Sequence, residues 1–233
     1  MTTVARSCPP WPDRVPWRAR VSVEASRIDA HWQHLDETER IRAARFRVEA
    51  DRLRFVIARS GLRQLLGQRL GTPAHEIGFA SNAFGKPMLR DVPRALHFNA
   101  SHSGDWVLIV LDAAAPIGID VEAVRPELAC LDDFDSVLSP RELRLLRALP
   151  ALRRAEAFAR IWVRKEAYVK ALGDGLSRSL CDIDVGLDAP SDRPRPYADR
   201  AAAPPSACWR FEDVALDAQH VACLVRRDDV AAV

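Results

Sequence analysis

From Leu35, the stretch LDETERIRAARFRVEADRLRFVIARSGLRQLLG repeats apolar residues at helical spacing. The pattern breaks near Val48, which predicts two helices, the second stopping at Gly67. Upstream, RARVSVEA (18–25) alternates and predicts a strand. HFNASHSGDWVLIVLD (97–112) reads as a strand, a polar turn and a strong apolar strand, and PIGIDVEAV (116–124) as one more strand. In SPREL (139–143), Ser139 is a good N-cap, Pro140 suits the first helical position and Glu142 completes a capping box. A second helix is expected from about Arg154 to Leu172, ending at Gly173, and HVACLVRR (220–227) forms a last strand. Residues 1–17 read as a Pro-rich arm, and 189–205, with five prolines, as a loop outside the core.

This order repeats. LDETER leads into helices ending LLG, and LSPREL into helices ending ALG; WVLIVLD (106–112) finds a counterpart in HVACLVR (220–226). The fold class expected is α/β (α+β); either the likeness is chance between amphipathic helices, or the chain is two similar halves, 18–112 and 113–233, joined near 112–117 with a cleft between them.

The chain has 233 residues, enough for a core that needs no disulfide or metal staple. A net charge of +2 is too small to argue for nucleic acid, and aromatic residues are sparse among the arginines. The five cysteines are widely spaced with no C-x-x-C pair, so neither a disulfide framework nor a zinc site is expected. MTTVARSCPPWPDRVP lacks an apolar leader-like run, and no run approaches a membrane span, so a cytoplasmic location with no membrane partner is expected.

In PIGIDVEAV the strand period sends Ile117, Ile119 and Val121 to one face and Gly118, Asp120 and Glu122 to the other. Two carboxylates side by side repel unless a cation lies between them. Oxygen ligands without paired histidines or thiolates favour Mg²⁺; the alternative is a solvated edge strand.

Of 34 basic residues only Lys86, Lys165 and Lys170 are lysine, two of them in WVRKEAYVKALGDGL (162–176). A retained lysine points to a compact ammonium that approaches a phosphate or moves a proton, against the alternative of an ordinary helix-surface Glu166–Lys170 pair. Lys165 is expected to reach nucleotide phosphate or solvent. Ser101 and His102, in a polar turn, suit phosphate gripping better than a hydrolase triad, because no G-x-S-x-G elbow is present. The arginines of 40–69 (Arg40, Arg42, Arg45, Arg47, Arg52, Arg54, Arg59 and Arg63) are read mostly as a solvated face, some of which could meet a phosphate.

FGKP (84–87), HFNASHSGDWVLIVLD, PIGIDVEAVRP and WVRKEAYVKALGDGL, in that order, resemble the surfactin-synthetase type of 4′-phosphopantetheinyl transferase. The clear resemblance runs from about 84 to 180. It implies a monomer of two pseudo-twofold-related α/β halves that moves the phosphopantetheine arm of coenzyme A onto a serine of an apo acyl or peptidyl carrier protein, in fatty-acid, polyketide or nonribosomal-peptide synthesis. Adenosine 3′,5′-bisphosphate leaves. The resemblance assigns Asp120, Glu122 and Glu166 to Mg²⁺ (Mn²⁺ is the other option), Glu166 to the carrier-serine proton, Lys170 to the departing phosphate, Ser101 and His102 to coenzyme A phosphates, and Lys86 to the nucleotide. Arg42, then Arg54, are expected at a further phosphate. The rival readings are a coenzyme-A-binding partner without catalysis and a metal-dependent phosphohydrolase.

Overall fold

Alternating apolar residues in the two central strands give each of them two buried faces, and the whole chain is layered around these strands. The computed structural model describes residues 12–90, 96–129, 134, 136–173, 179–187, 198–199 and 208–228. Most of the Pro-rich arm, most of the 189–205 loop and the last residues of the 162–176 motif therefore lie outside the described residues.

The first half begins with β1 (Trp17–Arg20) and the short helices α1 (Val21–Glu24) and α2 (Ile28–Trp32). Helices α3 (Glu37–Ala44) and α4 (Glu49–Leu70) follow, then the hairpin β2 (Phe79–Ser81) and β3 (Pro87–Leu89), then β4 (His97–Ser103) and β5 (Trp106–Asp112). The second half has β6 (Ile117–Ala123), α5 (Pro140–Ala148), α6 (Ala151–Leu172), the short pair β7 (Ile183–Asp184) and β8 (Ala198–Asp199), and then β9 (Cys208–Asp213) and β10 (His220–Asp228). The two larger sheets are antiparallel and ordered β1-β5-β4 and β6-β10-β9. Each places the strand before its helices at one edge and the last strand in the centre, so the topology of the first half recurs in the second.

Strand periodicity explains the layers. Val107, Ile109 and Leu111 of β5 pack with Ile57, Leu62, Leu65 and Leu66 of α4, while Leu108 and Val110 turn to the other sheet and meet Ile117, Ile119, Val121, Ala222 and Leu224. On β10, Val221, Cys223 and Val225 pack with Ile161, Tyr168 and Val169 of α6. The order is helix, sheet, sheet, helix, and the middle interface joins the halves.

Three local expectations change. The 18–25 strand ends at Arg20, and Val21–Glu24 is helical. The second N-terminal helix continues past Gly67 to Leu70, capped by Gly71 in the left-handed conformation (φ 67°). Gly67 is instead a close-approach position, because a Cβ there would lie 2.6 Å from the Thr72 carbonyl. Arg63, read as part of a solvated face, is fully buried. Its guanidinium donates to Glu39 Oε2 at 2.5 Å, to Asp36 and to the Ala74 and Ile77 carbonyls. The capping box of SPREL is present: Ser139 Oγ accepts from Glu142 N–H (3.1 Å) and Glu142 accepts from Ser139 N–H (2.8 Å).

Candidate active site

The site grows from the seam where β4 of one sheet runs beside β6 of the other. Asn99, Ser101 and Ser103 alternate on β4, and side chains there take the place of a ladder. Ile119 N–H donates to Asn99 Oδ1 (2.9 Å) and Ala123 N–H to Ser103 Oγ (3.1 Å). Two hydroxyls hold the carboxylates: Ser101 donates to Asp120 Oδ1 (2.7 Å) and Ser103 to Glu122 Oε2 (2.8 Å). Ser101, His102 and Ser103 thus belong to the strand itself. The expected phosphate-gripping turn is confined to Gly104 and Asp105.

The Gly118–Asp120–Glu122 face of β6 is not a solvated edge, because α6 crosses it. A Cβ on Gly118 would sit 2.0 Å from the Ala167 carbonyl and 2.6 Å from Ala171 N, so only glycine lets the helix come this close. The approach brings Trp162, Glu166 and Lys170, spaced one helical turn apart, into one cleft of about 440 Å³ with Ala100, Ser101, His102, Asp120 and Glu122. The Lys170 ammonium lies 2.5 Å from Asp120 Oδ1 and 3.2 Å from Ser101 Oγ, so its salt bridge crosses to β6 rather than following its own helix to Glu166.

Burial raises the Glu166 carboxyl above the usual range; Lys170 opposes the shift and the charges of Asp120 and Glu122 add to it. His102, at the cleft mouth, is held below the usual imidazole range by desolvation and by the cations Arg54 and Lys170, so it is mostly neutral at pH 7.

This donor set fits a hard cation. Asp120 Oδ2 is buried with no hydrogen-bond partner, and three carboxylates share the cleft with one ammonium. Among the described residues, no three acidic, histidine or cysteine side chains are gathered tightly enough to be a preassembled cluster. Mg²⁺ does not require one, since it keeps several waters and takes one or two carboxylates.

The other expected residues fall in different places. Arg54 donates to the Gly104 carbonyl (3.0 Å), beside His102. Arg42 stacks over Phe55 and lines a second cavity of about 720 Å³ with Gly85, Pro87 and Arg90. Lys86, in the hairpin turn, sends its ammonium to the Lys170 carbonyl at 2.5 Å, and burial pulls its pKa down. Lys165 corrects an expectation. It is fully buried and bonds Glu142 (2.6 Å), the Val137 carbonyl (2.7 Å) and the Leu180 carbonyl (2.9 Å), so it reaches neither nucleotide nor solvent.

Sequence reasoning gave Ser103 no site role and passed over Asn82. The alternation N-x-S-x-S on β4 carried a signal for Ser103. Asn82 showed only as the first residue of a turn closing at Gly85, a position that favours asparagine.

Comparison with known proteins identifies the family. The sequence model of the 4′-phosphopantetheinyl transferase superfamily matches residues 116–225, and that of the 4′-phosphopantetheinyl transferase N-terminal region matches 22–114. Similar proteins include 4′-phosphopantetheinyl transferase HetI of Nostoc sp., 36% identical over 177 residues that span 73% of each chain. Another is 4′-phosphopantetheinyl transferase psf-1 of Bacillus pumilus, 37% identical over 64% of this chain and 62% of its own. A third is 4′-phosphopantetheinyl transferase Sfp of Bacillus subtilis strain 168, 32% identical over 64% and 65%. Two matching family halves in the right order, and a relative aligned over most of both chains, show that the chain belongs to the 4′-phosphopantetheinyl transferase superfamily, a family of transferase enzymes.

Proposed function

We propose that the chain transfers the 4′-phosphopantetheine group of coenzyme A to a serine hydroxyl of an apo acyl or peptidyl carrier protein, with Mg²⁺ bound. One observation carries the reading: Asp120, Glu122 and Glu166 converge with Lys170 on a single cleft between the halves.

In this reaction the serine oxygen attacks the phosphorus that bears the pantetheine arm. A new P–O bond forms, the bond to the bridging oxygen breaks, and adenosine 3′,5′-bisphosphate leaves with the electron pair. Glu166 supplies the carboxylate that takes the serine proton. Lys170 supplies positive charge and a donor at the departing phosphate. Asp120, Glu122 and Glu166 would hold Mg²⁺, which neutralises pyrophosphate charge when bound. Neutral His102 offers an N–H donor to the substrate phosphates, with Arg54 behind it, and Ser101 joins it only by turning its hydroxyl away from Asp120. The nucleotide end is assigned to the cavity that Arg42 lines with Gly85 and Pro87. Lys86 gives one donor to the Lys170 carbonyl and has two more N–H donors to offer the nucleotide.

The test is the intact mass of an apo carrier protein incubated with this protein, coenzyme A and Mg²⁺. The expected result is a gain of one phosphopantetheine unit, abolished by chelation and by Glu166→Gln. Coenzyme A binding without any gain on several unrelated carriers would replace this reading with a non-catalytic one. Cleavage of coenzyme A without a carrier would replace it with a phosphohydrolase.

A further inference from the structure

The last carbonyls of a helix lack intrahelical partners and must find them elsewhere. At the end of α6, Gly173 takes the left-handed conformation (φ 83°) and its N–H returns to the Val169 carbonyl at 2.9 Å. The neighbouring carbonyls are taken by the other half of the molecule. Asn82 Nδ2 donates to the Gly173 carbonyl (2.9 Å) and Lys86 Nζ to the Lys170 carbonyl (2.5 Å). Asn82 is also saturated on its other side, where Oδ1 accepts from the N–H groups of Phe84 and Lys86, both at 2.9 Å. One amide therefore fastens the β2–β3 turn internally and fastens it to the helix, across 91 positions of sequence.

Lys170 is consequently held at both ends: its carbonyl by the hairpin and its ammonium by Asp120. The hairpin turn that makes the clamp also lends Gly85 and Pro87 to the Arg42 cavity. We infer that Asn82 is a positioning residue, which sets the end of α6 and so the place of the Lys170 ammonium against the cleft without touching substrate. The catalytic part of this inference rests on the transferase reading; the clamp itself does not.

Asn82→Asp separates the two jobs of this side chain. An aspartate keeps an acceptor for the Phe84 and Lys86 N–H groups but cannot donate to the Gly173 carbonyl. The expected result for Asn82→Asp is a fall in kcat of about tenfold, the equivalent of one lost positioning hydrogen bond, with KM for coenzyme A unchanged. Hydrogen exchange should speed up in the last turn of α6 and stay as in the wild type elsewhere. An unchanged kcat, or a higher KM at unchanged kcat, would overturn the proposal, the second by making Asn82 a substrate contact. Unchanged exchange at the end of α6, or protection lost throughout the chain, would overturn it as well. If the wild type transfers nothing to any carrier, the transferase reading falls, and the exchange comparison still decides the clamp.

Discussion

At Lys165 an ammonium donates to three oxygens, from Glu142 and from the Val137 and Leu180 carbonyls, in a pocket with no exposure at all. Five residues later the same side chain, at Lys170, stands in the cleft against Asp120 and Ser101. The third, Lys86, caps a helix end. Each place accepts a compact head with three radiating donors and suits a planar guanidinium poorly. The two α6 lysines should therefore fail differently. Lys165→Met leaves the Glu142 carboxylate buried without its cation. It should lose about 3 kcal/mol of stability, measured by urea unfolding, and Glu142→Gln in that background should recover part of the loss. Lys170→Met takes the cation from Asp120 at a cleft open to solvent, so it should cost less stability than Lys165→Met and lower kcat by about a hundredfold or more, the scale seen when a donor to developing charge is removed. Equal stability losses at both positions would erase the distinction.

At the level of elements, the Gly118 contact decides whether α6 can serve β6. Gly118→Ala puts a methyl group into helix backbone, at 2.0 Å from the Ala167 carbonyl, where no side chain can swing aside. The helix must move off the strand, at a cost of about 3 kcal/mol, the upper part of the usual overpacking range. Glu166 moves with it, so transfer should fall further than stability alone accounts for, at temperatures where circular dichroism still reports a folded chain. Much of this arrangement was legible. A period of two separates Ile117, Ile119 and Val121 from Asp120 and Glu122, and a helical period stacks Trp162, Glu166 and Lys170, because these patterns are local. What covers the carboxylate face was not legible. An i+2 pattern says that Asp120 and Glu122 share a side, not that a helix as far along the chain as Ala151–Leu172 lies over it. For the same reason the partners of Lys165, the reach of Asn82 to Gly173 and the buried fork of Arg63 had no signature. Each depends on the folded chain bringing distant carbonyls or carboxylates to the side chain.

For the molecule as a whole, the cleft exists only while the halves stay in register, and a polar cluster at one end of the middle layer helps to hold them. Asp217, in the β9–β10 connection, accepts from Trp106 Nε1 of β5 (2.8 Å), from His220 Nδ1 (2.7 Å) and from Gln219 N–H (3.0 Å), and Arg20 of β1 stands 3.6 Å away. A carboxylate accepting bonds from both halves is favoured in its charged form. Hydrogen bonds from His220, then Trp106, hold its pKa well below the ordinary carboxylate range. A depressed folded-state pKa adds stability that is fully present above the unfolded value of about 4 and is lost as pH falls toward the folded value. Wild-type stability should therefore drop as pH falls below about 4, where the unfolded carboxyl takes up its proton first. Asp217→Asn should lower stability at neutral pH and flatten that acid limb. Because the carboxylate is partly exposed, the difference between the two proteins should shrink in high salt. Unfolding midpoints measured from pH 3 to 7 at two salt concentrations test this. Parallel pH profiles for wild type and variant would remove Asp217 as the acid-sensitive tie between the halves and leave their register to the apolar interface of Leu108, Val110, Ile119 and Leu224.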